Sequence, residues 1–266
     1  MRTGSRACRR RPLWPALLLT ALALGCAAGA GQKLRSAARA EENIAALRET
    51  GAAEIVYVRL AGASEESGAP AAAEGAGAAR VRALQAENGE LAGWLTMEAA
   101  GVDYPVMYSP ARPNYYIDHD FSGERSAAGL PYIDEDCDTE KGVNRIIYGH
   151  NMRNGTMFGN LERYLDKDFF QANRVFYFDT AEGREAYRVI AAYETPVDGS
   201  EACRFYDYTA IETEADYRAY VEGSMALGGM PGDEAPLWGE RLLTLVTCVS
   251  HQKDWRLVLL GAEIAA

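Results

Sequence analysis

Histidine is scarce in this 266-residue chain. There are three, His119, His150 and His251, so imidazole chemistry has only three candidates. Cysteine is scarce as well. Five stand apart at Cys8, Cys26, Cys137, Cys203 and Cys248, and none belongs to a C-x-x-C pair, which argues against a zinc site or a dithiol redox motif. A disulfide between Cys137 and Cys203 is one reading of the spare thiols. The acidic run Asp134-Glu135-Asp136 lacks the spacing of an EF-hand loop, and His119, flanked by Asp118 and Asp120, reads as loop surface. No metal and no cofactor is expected. Internal repeats are absent. Basic residues are also few where the fold lies. Residues 81–266 hold 16 Lys/Arg against 31 Asp/Glu, a balance of −15, whereas residues 1–80 carry +4. So acidic a body would repel phosphates, which excludes nucleic acid as a partner and suits an amine or cationic substrate.

One long uncharged run occurs, over residues 12–32, directly after the cluster Arg2, Arg6, Arg9, Arg10 and Arg11. It is just long enough to span a bilayer, and the arginines would stay cytoplasmic. Residues 1–32 therefore read as a basic start and a single-pass signal anchor that places the rest outside the cell membrane. A cleaved export signal is the other reading. Residues 33–80 read as an extracytoplasmic linker. Within it 33–50 are Ala-, Arg- and Glu-rich and helical, Glu54-Ile55-Val56-Tyr57-Val58 could be a strand, and 61–80 form a flexible Gly/Ala/Ser spacer. The folded domain is expected over 81–266.

From Val81 the pattern sharpens. Val81, Leu84, Asn88 and Leu91 sketch a short amphipathic helix. Strands are expected at 93–97, 102–108, 130–134, 143–149, 174–179, 185–195, 241–248 and 255–263. Helices are expected at 156–170, where Met157, Phe158, Leu161, Tyr164, Leu165 and Phe169 recur at i, i+3, i+4 spacing, and at 213–227. Eight strands with few helices predict a mostly β fold, a closed eight-stranded barrel that leaves no exposed edge.

Three reactive groups stand at strand ends. Cys248 closes Leu242-Leu243-Thr244-Leu245-Val246-Thr247-Cys248, Arg256 opens Trp255-Arg256-Leu257-Val258-Leu259-Leu260, and His150 ends Arg145-Ile146-Ile147-Tyr148-Gly149-His150. The seven residues between Cys248 and Arg256 make a hairpin-sized loop, so the two strands can pair antiparallel with these residues as neighbours. Spacing alone does not bring His150 to them. His251 is a rival base by sequence proximity. A thiol, an imidazole and a guanidinium are what acyl transfer through a thioester requires: a nucleophile, a proton carrier and an oxyanion donor.

On these segments the chain resembles the sortases, and class B in particular. The motif Thr-Leu-x-Thr-Cys stands as Thr244-Leu245-Val246-Thr247-Cys248. The histidine segment stands as Ile146-Ile147-Tyr148-Gly149-His150-Asn151-Met152, and residues 155–166 are similar to a helix that class B members carry there. The arginine eight residues past the cysteine fits, as does a helix inserted before the nucleophile strand. The resemblance covers about residues 81–266.

It implies a sortase-like barrel with an N-terminal helix, acting as a membrane-anchored cysteine transpeptidase. Its partners would be surface proteins with a C-terminal signal similar to Asn-Pro-Gln-Thr-Asn or Asn/Ser-Pro-x-Thr-Gly. Cys248 would cleave after Thr and hold a thioester, His150 would protonate the leaving amine, and Arg256 would bind the oxyanion. The acceptor would be an amine of a peptidoglycan precursor, lipid II. Asn114, Tyr116, Ile117, Tyr148, Val246 and Thr247 match regions that line the peptide groove. Two departures stand out: Val246, where many members have Ser, and Val249, where an acidic residue is common. A pilin-polymerising enzyme using a lysine amine, and a silent binding domain on the same barrel, are the alternatives.

Overall fold

A computed structural model describes residues 38–39, 41–49, 69–198 and 203–265. The expected anchor and the strand over Glu54-Ile55-Val56-Tyr57-Val58 lie outside them. Among the described residues, no helix is long and apolar enough to cross a membrane.

All eight expected strands form: β1 Leu91–Met97, β2 Val102–Met107, β3 Tyr132–Ile133, β4 Asn144–Tyr148, β5 Val175–Asp179, β6 Arg184–Pro196, β7 Leu242–Cys248 and β8 Trp255–Glu263. They close into a barrel in the order β1-β2-β3-β4-β7-β8-β6-β5. Most neighbours are antiparallel, but β2 meets β3 in parallel, and β4 runs parallel to β7 from Asn144↔Leu242 to Tyr148↔Val246. β7 is buried on both faces along its whole length until Cys248, which is exposed. Near-continuous apolar sequence of this kind is what a strand covered on both sides requires.

Helices depart from expectation more than strands do. Residues 41–49 are helical (α1), and α2 spans Ala69–Glu87. The expected spacer at 61–80 is therefore helix from Ala69 onward. Its many alanines are the strongest helix formers, and Pro70 in the first turn needs no hydrogen-bonded N–H. Gly77 has a packing role, since a Cβ there would sit 2.4 Å from the Asp179 carboxyl carbon. Leu91, expected on this helix, opens β1 instead.

No continuous helix covers 156–170. The chain turns through Gly155 and Met157, both at positive φ, then forms a 3₁₀ turn at Leu161–Leu165 and the short α3, Lys167–Ala172. Compact turns buried Met157, Phe158, Leu161 and Tyr164 at the same intervals a helix would have used, while Leu165 is exposed. α4, Glu214–Gly228, starts as expected. Thr213 caps it by accepting from the Asp216 amide, and Tyr217, Tyr220 and Val221 are buried. The possible Cys137–Cys203 disulfide is not formed. Each thiol is buried among its own partners: Cys137 Sγ lies 3.4 Å from the Ile146 amide, and Cys203 Sγ lies 3.5 Å from Ser224 Oγ.

α2 is fastened to the barrel by a buried carboxylate. Asp179, fully enclosed, accepts from Arg80 of α2 at 3.1 Å and from Arg184 at 2.7 Å. The Arg80 guanidinium also lies 4.1 Å over the Trp94 ring. Removing one partner of such a group leaves uncompensated buried charge. Asp179→Ala should therefore lower unfolding stability by about 3–5 kcal/mol. A urea titration reads this as a lower midpoint at unchanged slope, and an unshifted midpoint would show that the clamp contributes nothing.

Candidate active site

The parallel pairing of β4 with β7 delivers what spacing could not. Both strands point the same way, so their C-terminal ends open at one mouth of the barrel. Past Tyr148↔Val246, three bonds tie the following loop to the nucleophile strand. Gly149 N donates to Val246 O at 3.1 Å, Thr247 Oγ1 donates to Gly149 O at 2.7 Å, and Asn151 Nδ2 donates to Cys248 O at 2.8 Å. His150 is thereby held beside the end of β7. Gly149 is needed because a Cβ would fall 2.7 Å from the Phe158 ring. On the other side Cys248 and Arg256 are direct register partners of β7 and β8.

The three groups share a cleft of about 360 Å³. Asn114, Ile117, Tyr148, Val246 and Thr247 line it as well. Tyr116 does not. Its ring is buried, and its hydroxyl donates to Glu90 Oε2 at 2.6 Å and accepts from Asn88. It sits in a 3₁₀ turn, Tyr115–Ile117, whose successive residues point different ways, so only Ile117 reaches the groove. Leu130, Tyr132, Asp134 and Glu135 complete the lining. Sequence reasoning assigned them to a strand and an acidic loop. The one available signal was that β3 precedes the histidine strand and had to pair with it.

Polar contacts order the wall. Asn114, held at a left-handed φ of 58°, accepts from Tyr132 Oη at 2.8 Å. Tyr148 Oη donates to Asp134 Oδ2 at 2.8 Å. Burial, with the nearby Glu135 and Asp134 carboxylates, pushes the Tyr132 phenol up to about 12. Burial and Asp134 push Tyr148 up too. Both phenols stay neutral donors at physiological pH.

Arg256 donates to the Trp255 carbonyl at 3.0 Å, and among the described residues it pairs with no carboxylate. Its guanidinium therefore keeps donors for a ligand. His150 Nε2 lies 2.8 Å from Ile117 O. His251 is outside the cleft, well exposed and 3.5 Å from Glu194. His119 stacks on Tyr115 with centroids 3.9 Å apart and meets Asp118 at 2.7 Å. Among the described residues no group of three or more His, Cys, Asp or Glu side chains could hold a metal. A thiol, an imidazole and a guanidinium thus converge on one opening.

Residues 95–263 match the model of the sortase domain. The chain is 32% identical to sortase B of Listeria monocytogenes over 185 residues, which is 68% of this chain and 72% of that protein. Among solved structures, sortase B of Bacillus anthracis in complex with AAEK2 superposes with a TM-score of 0.62 at 29% identity, covering 70% of this chain and 83% of that one. A sortase B–substrate complex from Staphylococcus aureus gives 0.62 at 25%, covering 70% and 85%.

Thiol labelling tests the accessibility of the site. Cys248 is exposed, while Cys137 and Cys203 are buried, and burial pushes the Cys137 thiol up to about 12. Its reactive thiolate is therefore scarce at neutral pH. Of these three, a maleimide at pH 7.5 should modify Cys248 alone, as read by peptide mass mapping. Comparable labelling of Cys137 in the folded protein would contradict the burial described.

Proposed function

Because this chain belongs to the sortase family, and within it to class B, we propose that its cysteine transpeptidation acts on proteins bearing a C-terminal sorting signal. The signal would be of the Asn-Pro-Gln-Thr-Asn or Asn/Ser-Pro-x-Thr-Gly type, cleaved after Thr. The acyl group would pass to an amine of a peptidoglycan precursor such as lipid II. The observation that carries this reading is the pairing of Cys248 with Arg256 at the barrel mouth, with His150 tied to the same strand end. The substrate complex of the Staphylococcus aureus relative supports a peptide in the equivalent cleft.

In this scheme Cys248 Sγ attacks the carbonyl after Thr, and the charge that develops on oxygen meets the free donors of Arg256. His150 gives a proton to the departing amine. An incoming amine then displaces sulfur from the thioester and returns a proton to the imidazole. Asn151 and Thr247 contribute by holding the histidine loop and the nucleophile strand in register. The basic start and apolar run at residues 1–32 support a cell-membrane anchor with the barrel outside.

Cleavage of a fluorogenic signal peptide, with and without an amine acceptor, tests the roles. Cys248→Ala should abolish both cleavage and transfer with the fold intact. His150→Ala should lose about 10²–10⁴-fold, the range of general acid–base catalysis, while His251→Ala costs little. Arg256→Lys keeps the charge but not the planar fork, and should lose about 10²–10³-fold, as for one oxyanion donor. Turnover by Cys248→Ala would end the thioester reading. Supplying a pilin-type lysine amine beside a peptidoglycan-type amine shows which acceptor is used.

The acidic lining has its own consequence. The Asp134 carboxylate is engaged by Tyr148, but Glu135 has no hydrogen-bond or ion-pair partner among the described residues. A basic residue at the variable position of the signal should be cleaved faster than Gln, and Gln faster than Glu. The differences should shrink as salt screens charges over roughly 8–10 Å. Equal rates for all three at low salt would remove the charge argument.

A further inference from the structure

A backbone carbonyl decides which nitrogen of His150 is available. His150 Nε2 lies 2.8 Å from Ile117 O. A carbonyl oxygen only accepts, so this nitrogen carries a hydrogen and donates, in the neutral ring and in the cation alike. The proton that the ring exchanges is then the one on Nδ1.

Something must keep that carbonyl in place. Ile117 ends the 3₁₀ turn that follows Asn114, and its amide donates to Asn114 O at 3.1 Å. The chain then loops back, and Leu130 N donates to Tyr116 O at 2.8 Å. Gly129, one residue earlier, passes directly beneath the turn at a positive φ of 55°. A Cβ at 129 would fall 2.4 Å from both Tyr116 O and Ile117 O. Real Cβ atoms do not approach backbone oxygens so closely. A side chain at 129 therefore forces either the chain at 129 or the Tyr116 and Ile117 carbonyls, the second of which meets His150, to shift.

We propose that Gly129 is a positioning residue for the general acid: by leaving room for the Ile117 carbonyl, it fixes His150 as the Nε2–H form and reserves Nδ1 for proton transfer. This rests on the reading of His150 as the acid. The bond from Cys248 Sγ to the carbonyl carbon forms as the thiol proton passes to Nδ1 of the ring. As the C–N bond breaks, the Nδ1 proton passes to the departing nitrogen, leaving a neutral ring with its lone pair on Nδ1. The acceptor amine then forms the new C–N bond, its proton goes to Nδ1, and sulfur leaves as thiolate.

Nitrogen-15 spectroscopy of the histidine-labelled full chain tests this on the unaltered protein. There are only three histidines, so the His150 signals are identified by their loss in His150→Ala. With the ring neutral, Nε2 should show a protonated-type shift and Nδ1 a pyridine-like one. The opposite pattern, or an average of the two tautomers, would overturn the inference. Gly129→Ala should lose that signature, and turnover should fall on the order of 10²-fold, as for a displacement of about 1 Å at a reacting group. Labelling of Cys248 should be retained. Gly232 also has positive φ, at 87°, but open space around it, so Gly232→Ala controls for backbone strain alone and should keep its turnover. If Gly129→Ala loses no more turnover than Gly232→Ala, the proposal fails. If Gly129→Ala does not fold, the tautomer of the unaltered protein decides. An active His150→Ala would instead sink the acid assignment itself, whereas an inactive His150→Ala with the Nδ1–H tautomer would sink only this inference.

Discussion

The site depends on one strand pairing, β4 beside β7 in parallel. Antiparallel neighbours would put the C-terminal end of one strand beside the N-terminal end of the other, and the imidazole and thiol would lie at opposite mouths. Parallel pairing needs a long crossover, and the chain from Tyr148 to Leu242 supplies it by building β5, β6 and α4 on the way. Polar side chains inside the barrel wall hold the register. Asn144 and Thr244 are fully buried, and Thr244 Oγ1 donates to Asn144 Oδ1 at 3.0 Å. Tyr220 of α4 reaches Thr244 at 2.8 Å, and Asn144 Nδ2 donates to the Tyr208 carbonyl at 2.9 Å. A slip of one residue would leave these groups buried and unpaired, which costs more than the bonds themselves gain. The inserted helix α4 is thus part of what aligns β4 with β7.

The strands were legible in the sequence because β7 and β8 carry mostly apolar runs, Leu242–Val246 broken only by Thr244 and Leu257–Leu260 unbroken, bounded by polar turns. The Cys248–Arg256 pairing followed from a seven-residue connection, since a hairpin of that length leaves little choice of register. His150 was not placed by the same reasoning, because parallel neighbours are distant in sequence and no local pattern announces them. Tyr116 was misassigned for a related reason. A 3₁₀ turn gives each of three adjacent residues a different surroundings, and the hydroxyl of Tyr116 is taken up by Glu90 and Asn88 on the far side of the wall.

Helices were read less well, and the two misses have opposite causes. At 69–80 composition suggested a loose spacer, yet alanine favours helix intrinsically and Gly77 allows close approach to Asp179. At 156–170 the spacing suggested a helix, yet Gly155 and Met157 take positive φ, which a right-handed helix forbids. A Cβ at Gly159 would lie 2.3 Å from Met152 O. Periodicity correctly identified most of the buried residues there but not the backbone that buries them.

The two ends of the barrel wall divide the work between rigidity and reaction. Where β5 closes on β1, Asp179 is enclosed and fully paired with Arg80 and Arg184, so its charge serves packing and is closed to a ligand. At the mouth, Arg256 carries the same kind of group as Arg80 but pairs with no described carboxylate. Both arginines belong to a strongly acidic domain, where a free guanidinium would readily attract a carboxylate. Of the two carboxylates lining the cleft, Asp134 is engaged by Tyr148, and Glu135 pairs neither with Arg256 nor with any other described residue. An arginine left without its own counter-ion in such surroundings retains its donors for charge that appears only during reaction, which is the condition an oxyanion donor must meet.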